Sequence, residues 1–157
     1  MKANTRLFGE IDIPEEKIIT FEQGVLGFED CKKFTIIFDT TEEQGDSISW
    51  LQCMDEPQLA FPIISPFAVM KDYNPIVETE WLTPLGDVNE ENVVIFVLLN
   101  VKSDVTKLTA NMKAPIIINS DTCKGAQLIV ENQDYEIKYN IYDVVQKQKA
   151  KKGECVC

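Results

Sequence analysis

With 157 residues, the chain is long enough to bury one hydrophobic core and leaves little room for a second domain. Apolar residues make up 45% and charged residues 26%, which is close to ordinary globular proteins and indicates neither a disordered chain nor a membrane-spanning one. The net charge is -11, and residues 1–146 carry 25 acidic against 11 basic side chains. This part of the chain should therefore repel nucleic acid and anionic lipid and attract basic proteins, unless its charge serves only solubility.

The cysteines and the apolar runs point to the cytoplasm. The five cysteines are odd in number and form no CxxC pair, which argues against a secreted disulfide framework. The first ten residues contain no apolar signal region, and the longest apolar runs, Val93–Leu99 and Pro115–Ile118, are too short to cross a bilayer. We therefore expect a cytoplasmic protein with free thiols and no membrane partner.

The first half of the chain reads as short strands, because apolar residues recur at every second position or in short runs bounded by turn residues. Pro62 cannot donate a hydrogen bond to a neighbouring strand, so its segment should lie at a sheet edge or a bulge. The predicted strands of this half are Leu7–Ile13, Lys17–Phe21, Lys33–Phe38, Ser47–Cys53 and Ala60–Ile64.

The second half continues the strand pattern. Ile76–Trp81 alternates Glu78 and Glu80 with less polar residues, which predicts a strand with one wet, acidic face. Val93–Leu99 is apolar at every position and rich in β-branched residues, so it should be a central strand buried on both faces. The remaining predicted strands are Ile116–Ile118, Ala126–Val130 and Asp134–Tyr142.

This set of elements predicts a mostly β fold. Nine or ten short strands with tight connections indicate a barrel or a sandwich, and we favour a single small barrel-like domain over residues 1–146, because closure removes exposed strand edges. Residues 147–157 contain four lysines and two cysteines, and we expect them to form a frayed or helical C-terminal tail.

The sequence offers no recognisable catalytic, cofactor or metal site. Histidine is absent, which removes the usual general base, the partner of a nucleophilic Ser or Cys, and the commonest zinc ligand. Gly24 and Gly27 lack the spacing of a phosphate loop and precede the acidic pair Glu29 and Asp30. We therefore predict a protein that is not an enzyme and that has no catalytic residue, cofactor or metal.

Four segments between Phe21 and Gln127 form a recognisable set in their order and spacing. They are Phe21–Glu29, Leu59–Phe67, the pair Asp72 and Tyr73, and Thr109–Asn119 followed by Gln127. With them the sequence resembles the FliW family of bacterial flagellar assembly factors. It departs from the family pattern at Met112, where leucine is more common, at Pro62, which interrupts a strand, and in its tail KKGECVC.

The resemblance implies a regulator that binds two proteins, flagellin and the translational regulator CsrA. In that family the factor is held by newly made flagellin, and once flagellin is exported it binds CsrA and relieves repression of flagellin mRNA. It would then act as a monomer without contacting nucleic acid itself. The alternative, a small-ligand-binding β-barrel of other function, stays open because a barrel can enclose a pocket.

For the CsrA surface we predict Asp72, Tyr73, Glu78 and Glu80, an aromatic anchor with acids along one strand edge. Asp72 and Tyr73 have the alternative role of closing a turn before Pro75.

Flagellin's terminal segments resemble amphipathic helices, so the surface of this protein that binds flagellin should be apolar. Candidates for that surface are Phe28, Phe61 and Phe67, each with a place in the core as the alternative, whereas Asn111 and Asn119 should bond loop backbone rather than a partner.

Overall fold

The computed structural model describes residues 1–38, 48–101 and 103–142. These residues form eleven strands and two short helices, α1 (Pro66–Val69) and α2 (Thr79–Leu82), with 3-10 turns at Glu15–Lys17, Thr83–Leu85 and Val105–Lys107. The strands are β1 (Lys2–Thr5), β2 (Gly9–Asp12), β3 (Ile19–Thr20), β4 (Lys33–Ile37), β5 (Ser49–Cys53), β6 (Ala60–Ile64), β7 (Val93–Asn100), β8 (Thr109–Ala110), β9 (Ile116–Asn119), β10 (Lys124–Gln127) and β11 (Tyr139–Asn140).

Seven of the described strands close into a barrel. Their order is β7-β6-β5-β4-β3-β10-β9, and β9 pairs back onto β7 through Val93↔Asn119 to Phe96↔Ile116. The neighbours are antiparallel except for β3 and β10, which are parallel at Lys124↔Thr20. β8 and β11 extend the sheet from the far end of β7, and β1 and β2 form a separate hairpin. The predicted mostly β, barrel-like fold is confirmed.

The barrel interior is filled by alternate residues of its strands. Phe34 on β4, Leu51 on β5 and Ile63 on β6 belong to the same core cluster and are fully buried. The ring of Phe21 packs edge-on against Phe34, with 5.0 Å between centroids. Gly125 on β10 leaves room for that ring, since a Cβ at this position would lie 2.8 Å from it. The packing of the interior therefore depends on the Phe21–Phe34 pair and on the absence of a side chain at Gly125.

A second apolar cluster lies on the outer face of β6 and β7. Ile64, Val97 and Leu99 point away from the barrel interior and pack with Tyr73 and Met112. This cluster explains why Val93–Leu99 is apolar at every position, and the predicted strand is confirmed. The predicted burial on both faces is only partly observed. Val97 and Leu99 of the outer cluster are buried, Phe96 and Leu98 on the other face are half-buried, and Val94 is 38% exposed.

Five predicted strands are wrong in extent or in kind. Of Lys17–Phe21 only β3 forms a strand, and Ala126–Val130 is displaced to β10, which ends at Gln127. Leu7–Ile13 is not one strand, because Thr5 and Gly9 bracket a turn in which the Thr5 hydroxyl donates to the Gly9 carbonyl, giving the β1–β2 hairpin. Asp134–Tyr142 contributes only β11. Ile76–Trp81 contains no strand: α2 begins after Glu78 and continues into the 3-10 turn that Pro84 accommodates.

The prediction that the segment of Pro62 lies at a sheet edge is only partly correct. β6 is not an edge strand, because it lies between β5 and β7. However, the pairing of β6 with β7 covers only Ile63 and Ile64, so Pro62 sits just outside that ladder and faces Trp50 of β5 on the other side. The missing N–H therefore costs no ladder bond to β7. The predicted tail, residues 147–157, lies outside the described residues.

Candidate partner-binding surfaces

The described residues hold no cluster of three or more acidic or cysteine side chains that could bind a metal ion. Cys31 and Cys53 are both buried in the barrel interior. Burial, and to a smaller extent the neighbouring Cys31, raises the pKa of the Cys53 thiol to about 12. At neutral pH Cys53 is therefore a protonated thiol, which makes it a packing residue rather than a nucleophile. No helix in the described ranges is long and apolar enough to span a bilayer.

Asp72 and Tyr73, predicted at the CsrA surface, have different environments. Asp72 is exposed, whereas Tyr73 is only 4% exposed and donates its hydroxyl to the Met112 carbonyl at 2.8 Å. Its ring stacks on Tyr135 with 4.8 Å between centroids. Burial, together with Tyr135, raises the pKa of Tyr73 above its ordinary value. The prediction of Tyr73 as a surface anchor is corrected here, because its ring belongs to the second apolar cluster.

Glu78 and Glu80 lie on or beside α2 rather than along a strand edge. Glu78 precedes the helix in an extended conformation, and its carbonyl accepts a hydrogen bond from the Trp81 N–H at 3.0 Å. Just before it, the Ile76 N–H donates to the side chain of Asn132 and the Ile76 carbonyl accepts from Glu131. Both acids are exposed. The predicted acidic strand edge is therefore an acidic helical turn.

The three phenylalanines predicted for flagellin are not gathered at one place by ring contacts. Phe28 is 40% exposed and packs edge-on against Phe61, with 5.1 Å between centroids. Phe61 is half-buried and belongs to the margin of the barrel interior. Phe67, on α1, is 47% exposed and contacts Tyr73 edge-on. Phe28 and Phe67 are thus available to a partner, while Phe61 mainly supports Phe28.

A groove of about 550 Å³ opens between β10, α2 and the turn that follows β3. Three of its large apolar side chains are more than half exposed, Leu26 at 51%, Trp81 at 57% and Ile129 at 63%. We call it the Trp81 groove and define it by Leu26, Glu80, Trp81, Leu85, Ala126 and Ile129. Sequence reasoning missed it, because its lining comes from segments far apart along the chain.

Polar side chains fix the walls of the Trp81 groove. Gln127 accepts from the Leu26 N–H at 2.9 Å and donates to the Ala114 carbonyl at 3.1 Å, which ties the turn after β3 to β10. Asn119 is fully buried and donates to the Leu85 and Asp87 carbonyls, which holds the segment after α2 against β9. The prediction that Asn119 bonds loop backbone is confirmed. Asn111 behaves likewise, accepting from the Ala114 N–H at 3.0 Å.

The acids around these surfaces are mostly unpaired. Within the part of the chain that the structure describes there are two ion pairs, the N-terminal amine with Asp12 and Lys124 with Glu22 at 3.3 Å. Lys124 and Glu22 both line the Trp81 groove and offset each other there. Glu80 has no basic partner among the described side chains, which gives the rim of the groove a negative potential.

Comparison with known proteins finds one family that matches nearly the whole chain. A family model described as FliW protein matches residues 2–141. The chain is 50% identical over 156 residues to a flagellar assembly factor FliW of Lachnoclostridium phytofermentans, covering 99% of this chain and 100% of that one. It is 48% identical over 149 residues to a protein of the same description from Lachnospira eligens, covering 94% and 99%. A crystal structure of the flagellar assembly factor FliW superposes with a TM-score of 0.80 at 33% identity, covering 90% of this chain and 96% of that chain.

Proposed function

Because the chain belongs to the FliW family of flagellar assembly factors, we propose that it is a non-enzymatic regulator that binds flagellin and the RNA-binding translational regulator CsrA. Flagellin holds the protein while flagellin is being made, and export of flagellin frees it to bind CsrA and relieve repression of flagellin mRNA. The observation that carries the proposal is the similarity to flagellar assembly factors over the whole chain. Action in the cytoplasm as a monomer belongs to the same proposal.

The charge of the domain supports CsrA as a partner. A protein that binds RNA must be basic where it meets the phosphate backbone. Asp72, Glu78 and Glu80 are exposed and form no ion pair with any described side chain, so the domain is complementary to such a surface. An acidic domain docked beside the RNA site lowers the positive potential there without covering it. By linkage, RNA and the acidic domain then weaken each other's binding to CsrA equally.

Exposed aromatic and aliphatic side chains support flagellin as a partner. Phe28 and Phe67 present ring surface to solvent, and each is held in place by a second aromatic ring. Apolar anchors of this kind suit the apolar face of a helix that is not yet packed in a filament. The Trp81 groove also has the size of a small-molecule pocket, so a small-ligand-binding barrel is the competing function.

The proposal is tested by titrating the protein into CsrA bound to a fluorescent flagellin-leader RNA, with and without purified flagellin, at low and high salt. We expect RNA affinity to fall as the protein is added and to recover when flagellin is present. The double substitution Glu78→Lys and Glu80→Lys should weaken this antagonism about tenfold, within the usual range of coupling between two sites.

The matched control is the double substitution Glu90→Lys and Glu91→Lys, which changes the net charge equally at two other exposed acids. It should weaken the antagonism much less. Failure of the unmodified protein to bind either CsrA or flagellin would overturn the proposed function. A small molecule retained in native mass spectrometry, together with that failure, would favour the competing one.

A further inference from the structure

We propose that the Trp81 groove docks an amphipathic α-helix of a partner protein, one that is apolar along one face and carries basic residues beside that face. The proposal rests on the proposed function in that the partner is a protein, and it names a surface and a chemistry that the proposed function leaves open. It differs from the predicted partner residues, of which only Glu80 lines the groove.

The first argument is the convergence of exposed apolar side chains. Leu26 comes from the turn after β3, Trp81 from α2 and Ile129 from the segment after β10, yet all three line one concave surface. Single exposed apolar residues are ordinary, but a groove lined by three of them is typical of a binding site. Leu26 lies in the turn closed by the Val25–Phe28 bridge, the same turn that carries Phe28.

The second argument is that the exposed lining of the groove is mostly apolar and that the Gln127 amide in its wall is not free. Both ends of the Gln127 amide are already bonded, one to the Leu26 N–H and the other to the Ala114 carbonyl. A helix satisfies its own backbone hydrogen bonds and needs only a surface for side chains spaced three or four residues apart.

The third argument is charge complementarity. Of the three charged residues that line the groove, Glu22 and Lys124 pair with each other at 3.3 Å, and Glu80 remains. Glu78, exposed two residues earlier, adds to the same sign of potential. A basic residue beside the apolar face of the incoming helix is therefore attracted, whereas an acidic one, a phosphate or an anionic lipid is repelled.

The fourth argument is that the walls are built before any partner arrives. Asn119 holds the Leu85–Asp87 segment, and Gln127 holds Leu26. Gly24 allows the tight turn before Leu26, with a φ of +68 and so little room that a Cβ would lie 2.5 Å from the Glu29 backbone. A preformed groove loses little conformational entropy on binding.

The protein carries its own reporter for a test. Trp81 lines the groove and Trp50 lies on β5 against Phe8, so the substitution Trp50→Phe leaves Trp81 as the single tryptophan. We would titrate this variant with purified flagellin and with a designed 18-residue peptide of Leu and Lys at helical spacing. A blue shift of Trp81 emission, saturating with each, is expected as the ring becomes buried.

Two further variants separate the groove from the rest of the surface. Ile129→Asp should weaken binding of both probes about tenfold or more, because a charged side chain then replaces an apolar one that the bound helix would bury. Ile137→Asp is the matched control, since Ile137 is 62% exposed but does not line the groove, and it should change affinity less than about twofold. A peptide with Glu in place of every Lys should bind much more weakly than the Lys peptide.

Several results would overturn the inference. If flagellin binds without a change in Trp81 emission and equally well to Ile129→Asp and Ile137→Asp, the docking surface is wrong while the proposed function stands. If the groove retains a small molecule in native mass spectrometry, or if Ile129→Asp converts a dimer into a monomer in light scattering, its occupant is not a partner helix. If neither flagellin nor CsrA binds, the proposed function fails as well.

Discussion

Individual residues decide whether the barrel interior and the groove can form. Gly125 faces the Phe21 ring, and its missing side chain allows β10 to close against β3. Gln127, two residues further along at the end of β10, accepts a hydrogen bond from the Leu26 N–H and so holds one wall of the Trp81 groove in place. Tyr73 and Cys53, which resemble reactive or recognition residues in the sequence, are packing residues instead because they are buried. Their pKa values are raised for the same reason.

At the residue scale we predict that Gly125→Ala destabilises the protein by about 1–3 kcal/mol, because a methyl group would overlap the Phe21 ring. Urea unfolding followed by circular dichroism measures the loss. Phe21→Leu in the same chain should recover part of it, so the double variant should be more stable than the sum of the two single effects. Simple additivity of the two substitutions would show that the close approach to Phe21 is not the cause.

Short elements, rather than the barrel strands, build the surfaces. α2 and the 3-10 turn after it place Glu80, Trp81 and Leu85 at the groove, and the segment after β10 brings Ile129 to its other side. None of these elements has a core of its own. Asn119 on β9 connects them to the barrel by donating to the Leu85 and Asp87 carbonyls and by accepting from the Asp121 N–H at 2.9 Å.

At the element scale we predict that Asn119→Ala costs about 2 kcal/mol or more, because it leaves buried backbone groups without partners. The wall of the groove should loosen at the same time, which hydrogen exchange detects as faster exchange of the Asp121 amide. Asn140→Ala is the matched control, since the Asn140 amide also donates to a loop carbonyl but is exposed. It should cost less than about 0.5 kcal/mol. Equal costs for the two variants would contradict the role given to Asn119.

The whole molecule is dominated by negative charge. Its net charge is -11, and the two ion pairs in residues 1–38, 48–101 and 103–142 are partly exposed. Exposed ion pairs contribute little, so repulsion among the acids is the larger electrostatic effect on stability. The charge that the proposed basic partner would recognise thus destabilises the free protein.

At this scale we predict that raising NaCl from low to about 0.3 M increases Tm by roughly 2–5 °C, because salt screens the repulsion. Differential scanning calorimetry measures the shift. Replacing Glu90 and Glu91 with Gln removes two exposed acids, so that variant should gain less from the same salt. A Tm that falls with added salt would mean that favourable ion pairs dominate instead.

Features that depend on neighbours along the chain were predictable from the sequence. The mostly β character, the central strand β7 and the backbone bonding of Asn119 follow from apolar periodicity and side-chain chemistry. Ile76–Trp81 was predicted wrongly, because so short an alternating run does not distinguish a strand from the helical turn that begins at Thr79. For Tyr73 the sequence showed an aromatic residue beside an acid but not the Met112 carbonyl and Tyr135 ring that bury it.

The sequence by itself determined the composition, the charge, the strand-rich pattern and the segments that carry the family resemblance, since each is a property of residues in order. Only the tertiary structure decided how the barrel closes, through β9 returning to β7, and which side chains share a surface. Leu26, Trp81 and Ile129 are dozens of residues apart, and their meeting in one groove depends on contacts that no local pattern encodes.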